Sequence, residues 1–271
     1  MNKKLHIVLK VIEILKEDSL IIIANNMTYK LVLAVFPFLI FLLTLMGFFT
    51  IDFHYLTNSL KLILPTQLLM IIETLAAEVI NIKRPKLLSL SLFIALFSAT
   101  GGFMSLIYGL KKAYRQEETR SHIKLYFASF LLVGLFTLAV ILTTVGMIFA
   151  TSIMNILTLY YYISPFLQVF YNLLSFIISL VIVMITVILI NRIALQKNVS
   201  VKNIIPGTIF TVISWAIASF GFNLYVRNFS FGSIYGSVGG VVVLLIWVNI
   251  VCNVLLLGGA INGALIEINA S

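Results

Sequence analysis

The 271-residue chain is 61% hydrophobic and only 10% charged, with a mean hydropathy of +1.14. A soluble domain carries about 25% charged residues, so this balance excludes one; long, continuous apolar runs likewise exclude a membrane β-barrel, whose strands alternate over segments of about ten residues. The net charge of +9 would suggest nucleic acid in a soluble protein, but here the basic residues lie between apolar runs, where they set topology.

Residues 1–18 read as an amphipathic helix. Leu5, Val8, Val11, Ile12 and Leu15 gather on one side, and Lys3, Lys10, Glu13 and Glu17 on the other. The segment is too broken by charge to span, and its place is the inner membrane interface. The first span is expected at about 31–49. Asn25, Asn26, Thr28 and Lys30 guard its entrance, and Pro37 predicts a kink or break near Phe36. Residues 66–82 are apolar on one face, but Glu73 and Glu78 make a crossing costly, at roughly 2–3 kcal/mol for each acidic charge at mid-membrane. That segment is read as an interfacial or re-entrant helix stopping at Lys83-Arg84-Pro85-Lys86.

Five further spans follow, at about 87–110, 125–150, 166–190, 204–226 and 234–262. The second has a soft centre at Ser98–Gly102 and leaves into Lys111, Lys112, Arg115, Glu117, Glu118, Arg120 and Lys124. The third leads to Tyr160, Tyr161 and Tyr162, an interfacial aromatic belt. The fourth ends at Asn191-Arg192, and the fifth opens with Pro206, tolerated in a first helical turn. The expected class is all-α: one polytopic membrane domain of six transmembrane helices, with an N-terminal amphipathic helix and an interfacial helix between spans 1 and 2. With the N-terminus inside, thirteen basic residues fall inside and five outside, which predicts both termini in the cytoplasm.

Residues 231–264 carry no charge, and Gly232, Gly236 and Gly240 recur every fourth position near one helix face. That series fits intrachain packing and homo-oligomerisation alike. Gly101 and Gly102 lie within a span, where a glycine pair is a packing or bending device before it is a phosphate loop. Asn249 and Asn253 sit one turn apart. The substrate-path candidates are Asn249, Asn253 and Asn223 lining a polar crevice, Tyr235 and Lys30 beside it, and Arg227 and Arg192 attracting anionic head groups from opposite leaflets. The plainer alternatives are interhelical hydrogen bonding for the amides and snorkelling for the arginines.

His6, His54 and His122 stand in separate segments, and no H-x-x-x-H, C-x-x-C or D-x-D spacing exists. Neither a metal nor a cofactor is expected, and Cys252 reads as a small buried hydrophobe. All nine Asp and Glu are placed in loops, interfacial segments or near a terminus, which counts against an ion-coupled carrier.

Four ordered blocks resemble the YihY/BrkB family of bacterial inner-membrane proteins, once labelled ribonuclease BN. They are Thr28-Tyr29 with Phe36-Pro37; Ser98–Gly102 with Ala113-Tyr114 and Glu117–Arg120; Pro206-Gly207 with Trp215 and Tyr225–Phe229; and Ile234–Gly240 with Trp247 and Leu256–Gly258. The resemblance covers about residues 24–267. Two departures are Lys30, where the family often has a second tyrosine, and Ala260, where it usually has an acid; Asn262 is retained. The resemblance implies a six-helix inner-membrane protein without an agreed activity and a lean toward envelope lipids. A nuclease would need positioned carboxylates with metal, or a histidine pair, beside a basic track. The expected function is envelope-lipid or amphiphile transport or scrambling, with membrane lipids and their anionic head groups as partners, no nucleic acid and no enzyme activity. The rivals are a small-solute or ion carrier and a non-transporting envelope scaffold.

Overall fold

The computed structural model describes residues 3–17, 19–49, 85–160, 164–196, 199–228 and 239–270. Among them the protein is all-α, in the order α1 (Lys3–Glu17), α2 (Leu20–Phe49), α3 (Pro85–Ala113), α4 (His122–Tyr160), α5 (Pro165–Ala194), α6 (Val201–Asn228) and α7 (Gly239–Ala270). Six stretches are long and apolar enough to cross a membrane: Leu20–Phe41, Lys86–Ala113, His122–Thr143, Phe166–Ala194, Val201–Val226 and Gly239–Asn269. The helix expected over 66–82 lies outside the described residues, as do Gly232, Tyr235 and Gly236.

The helix that carries the first span begins at Leu20, so Asn25, Asn26, Thr28 and Lys30 lie within α2. α3 runs antiparallel to α2, with Gly109 against Ile23 and Gly102 against Leu31. That register sets Leu20 level with the Lys111-Lys112 end of α3, and α3 and α7 supply polar partners that a sequence window cannot see. The break expected near Phe36 is absent, because α2 continues through Pro37. The proline withholds one backbone donor, the one that would serve Leu33, and the rest of the ladder stands. α6 begins at Val201, which puts Pro206 sixth in the helix and beyond its first turn.

Each helix from α2 to α7 packs on the next, and α7 returns to α2 to close a ring. α3 also touches α5 and α7 across it. The main core joins Ala24 and Met27 of α2, Leu106, Ile107 and Leu110 of α3, Leu125 and Leu132 of α4, Val187 and Ile190 of α5, and Cys252 and Leu256 of α7. A second cluster docks Ile14 of α1 on Leu20, Ala113, Leu195, Ile204 and Ala260. Both lie toward one end of the ring, the end that α1 covers. On α4 and α5, by contrast, no described side chain from 134 to 185 is buried.

Local chemistry sets the helix ends. Ser164 caps α5, its hydroxyl accepting from the Leu167 N–H at 3.4 Å, and Pro165 follows in the position where a missing N–H is harmless. α3 ends on Arg115 in the left-handed region, at φ 51°, which lets the Gln116 N–H reach the Lys111 carbonyl at 2.8 Å. Glycine is usual there; a side chain costs about 1–2 kcal/mol, and this one is used for ion pairs.

Candidate functional site

The polar groups of α2 meet α3 and α7 in a seam. Lys30 Nζ donates to Ser105 Oγ at 2.9 Å, and the Ser105 hydroxyl is 3.2 Å from the Gly101 carbonyl. On the other flank of α2, Asn249 Nδ2 donates to Asn25 Oδ1 at 2.8 Å and lies 3.3 Å from Thr28 Oγ1. Asn253 Nδ2 donates to the Asn249 carbonyl at 2.8 Å and reaches its Oδ1 at 3.1 Å. Between these flanks the outer face of α2 is exposed: Asn25, Asn26 and Tyr29 stand there with Ile22 and Leu33. Asn26, Tyr29 and Lys30, at spacings of three and four, share one side of the helix.

A lysine within the bundle makes this seam unusual. Lys30 is the eleventh residue of α2, and its ammonium meets Ser105, about 9 Å along α3 from Lys111. Every other Lys or Arg in the six stretches lies within two residues of an end, and their one carboxylate, Glu267, does too. Ionisable residues inside an apolar helix are costly and mark function by default.

A second polar group closes the bundle at the α1 end. Pro206 removes one donor from the α6 ladder, and beside it the Asn262 amide of α7 binds the α6 backbone. Its Oδ1 accepts from the Gly207 N–H at 2.6 Å, and its Nδ2 donates to the Ile204 carbonyl at 2.9 Å and to Tyr114 Oη at 2.8 Å. Tyr114 Oη in turn donates to Asn191 Oδ1 at 3.1 Å, and Asn191 Nδ2 donates to the Val187 carbonyl at 2.8 Å. Asn262, Asn191 and Tyr114 are all buried, and burial pushes the Tyr114 phenol above its usual range, so it stays a donor. The helices touch closely here: a Cβ on Gly207 would fall on the Gly258 carbonyl, and one on Gly258 on the Thr211 hydroxyl.

Beyond that network lie the charges. Arg115 pairs with Glu13 at 2.6 Å, Glu17 at 2.9 Å and Glu267 at 3.5 Å, and Lys10 bridges Glu13 and Glu267 at 3.0 Å each. The hydrogen bond from Lys10, then that from Arg115, holds the Glu13 carboxyl below its usual range. Arg120 clasps Glu118 at 2.6 Å and donates to the carbonyls of Ile193 and Ala194, finishing α5. Burial alone would raise the Glu118 carboxyl; the side-chain and backbone bonds from Arg120 outweigh it and hold it low.

Of the path candidates, the structure brings Asn249, Asn253 and Lys30 to the two flanks of α2. Asn223 is exposed on α6 and bonds to neither amide; its neighbour Phe222 stacks on Trp247 at 5.1 Å. Arg192 Nη1 donates to the Val199 carbonyl at 3.4 Å, at the α1 end. Arg227 falls in the last turn of α6. Gly101 and Gly102 face Lys30 and Leu31, and Gly240 is buried at the start of α7. Sequence reasoning missed Asn25 and Ser105 as partners, and the joint of Tyr114, Asn191 and Asn262. The available signal was Pro206-Gly207 and a Gly258-Gly259 pair followed within a turn by an amide.

Comparison with known proteins places the chain among membrane proteins. A family model described as Virulence factor BrkB matches residues 11–270. A Bacillus subtilis (strain 168) protein named as ribonuclease-like, YfkH, is 28% identical over 241 residues, 89% of this chain and 88% of its own. A UPF0761 membrane protein of Xanthomonas oryzae pv. oryzae (strain PXO99A) is 30% identical over 82 residues, 30% of this chain and 19% of its own. One from Xanthomonas campestris pv. campestris (strain B100) is 30% identical over 80 residues, again 19% of its length. No solved structure matches.

Proposed function

The chain belongs to the Virulence factor BrkB family and is a multi-pass membrane protein, and from that premise we propose that it moves amphiphilic envelope lipids between the leaflets of the bacterial inner membrane. The observation that carries this reading is the exposed face of α2, where Asn25, Asn26 and Tyr29 stand beside Lys30 within the helix. Polar groups facing hydrocarbon are costly unless something satisfies them. A lipid head group sliding along α2 would do so, its tails remaining in the bilayer; a free solute would need an enclosed path. Both termini are cytoplasmic in this reading, with α1 at the inner leaflet. Glu13, Glu17, Glu118 and Glu267 are each held by a lysine or arginine, which favours a carrier over a hydrolase that would need free carboxylates.

The test is leaflet exchange of labelled lipids in proteoliposomes of the purified chain. Asn26→Leu combined with Tyr29→Phe should slow exchange about tenfold, since two polar groups leave the track, while the melting temperature holds. Unchanged exchange in this variant would overturn the assignment. A scaffold is the second reading, favoured by the uncovered 134–185 hairpin; one stoichiometric partner and no exchange would select it.

A further inference from the structure

We propose that Lys30, with Asn26 and Tyr29 on the same side of α2 and Ser105 behind it, is a subsite for the phosphate group of an anionic amphiphile; this rests on the lipid-moving reading and names its preferred substrate class. Lys30 Nζ uses one donor on Ser105, and among the described residues its other two have no partner. No carboxylate forms an ion pair with it among those residues, and the one carboxylate within the six crossing stretches, Glu267, is at the far end of α7 and engaged by Lys10 and Arg115. An ammonium held inside an apolar helix bundle without a counter-charge attracts a mobile anion. Ser105 holds the head of the side chain from α3, and the stem of Lys30 passes Gly101. Asn26, one turn before Lys30, adds amide donors and Tyr29 a phenol, both exposed on the open side of the helix. The Lys30 ammonium only donates and carries a full positive charge, which favours an anionic group that only accepts, as a phosphodiester does. A zwitterionic lipid offers the same phosphate, but its own cation offsets the attraction to Lys30. Acidic lipids are therefore preferred, by charge and not by shape.

The experiment compares phosphatidylglycerol with phosphatidylcholine in proteoliposomes, following leaflet exchange and, separately, the association of spin-labelled lipid with the protein. Wild type should favour phosphatidylglycerol in both. Lys30→Gln should cut phosphatidylglycerol exchange and association about tenfold and leave phosphatidylcholine within about twofold. Lys30→Arg should keep the preference, and Ser105→Ala should weaken it. A ratio of the two lipids unchanged by Lys30→Gln in a variant of wild-type melting temperature overturns the subsite. If wild type exchanges neither lipid, the transport reading fails, yet a Lys30-dependent preference in association still upholds the subsite. Radiolabelled glycerol phosphate is the third probe. Lys30-dependent uptake of it, with no lipid preference, would make the phosphate source a soluble ester and overturn the amphiphile assignment.

Discussion

Asn262 shows how much one side chain can carry at a helix contact. Its amide binds the α6 backbone at Gly207 and Ile204, and its second N–H reaches Tyr114 and thereby α5. Asn262→Leu would leave the Gly207 N–H buried without an acceptor, a loss of about 1–3 kcal/mol with no water nearby to replace it. A clear drop in melting temperature in detergent is expected, against little change for Asn223→Leu, which alters an exposed residue. Glu118 is the residue to follow with pH. Its carboxyl is held below the ordinary value of 4.5, so its contribution to stability is present at neutral pH and is lost as pH falls through the lowered value. The melting temperature should decline in acid below about pH 4, and Glu118→Gln should flatten that decline while lowering stability at neutral pH. An acid limb of equal size in both proteins would assign it to other carboxylates.

At the scale of the helix, small residues decide which surfaces can meet. Gly207 and Gly258 let α6 and α7 approach until backbone touches backbone, and Gly263 does the same against the Ala113 carbonyl of α3. Gly258→Val should abolish folded, monodisperse protein, because the side chain has nowhere to go except into Thr211 and the α6 backbone. Gly134→Ala is the opposite case: nothing stands within 4 Å of its would-be Cβ. That change should leave the melting temperature equal or slightly higher, since alanine is favoured over glycine in a helix by up to about 1 kcal/mol. Equal tolerance at both positions would mean that α6 and α7 do not meet at this contact.

Across the molecule, packing is graded from one end to the other. At the α1 end, α1 itself, the Tyr114–Asn191–Asn262 joint, the Arg120 clasp and the second apolar cluster tie α3, α5, α6 and α7 together. Along 134–185, the described side chains of α4 and α5 are at most partly covered. A lipid track on α2 would then run from a firm base, near Leu20, past Lys30. The firm base fixes Ser105 relative to Lys30, and the open outer face leaves the head group free to enter from the side.

The sequence by itself determined the class, because six long apolar stretches with charges between them have no other stable form in water or lipid. It also determined family kinship through four ordered motif blocks. The partners of Lys30 were decided only by tertiary structure. In a linear reading, a cluster of Asn25, Asn26, Thr28 and Lys30 marks a membrane boundary, since polar groups belong at interfaces. Hydropathy averages over neighbours along the chain, whereas the partners that make those groups tolerable lie on other helices, Ser105 on α3 and Asn249 on α7. The same holds for Asn262: a buried amide is legible only when the Gly207 N–H it accepts from, 55 residues away in sequence, is brought against it.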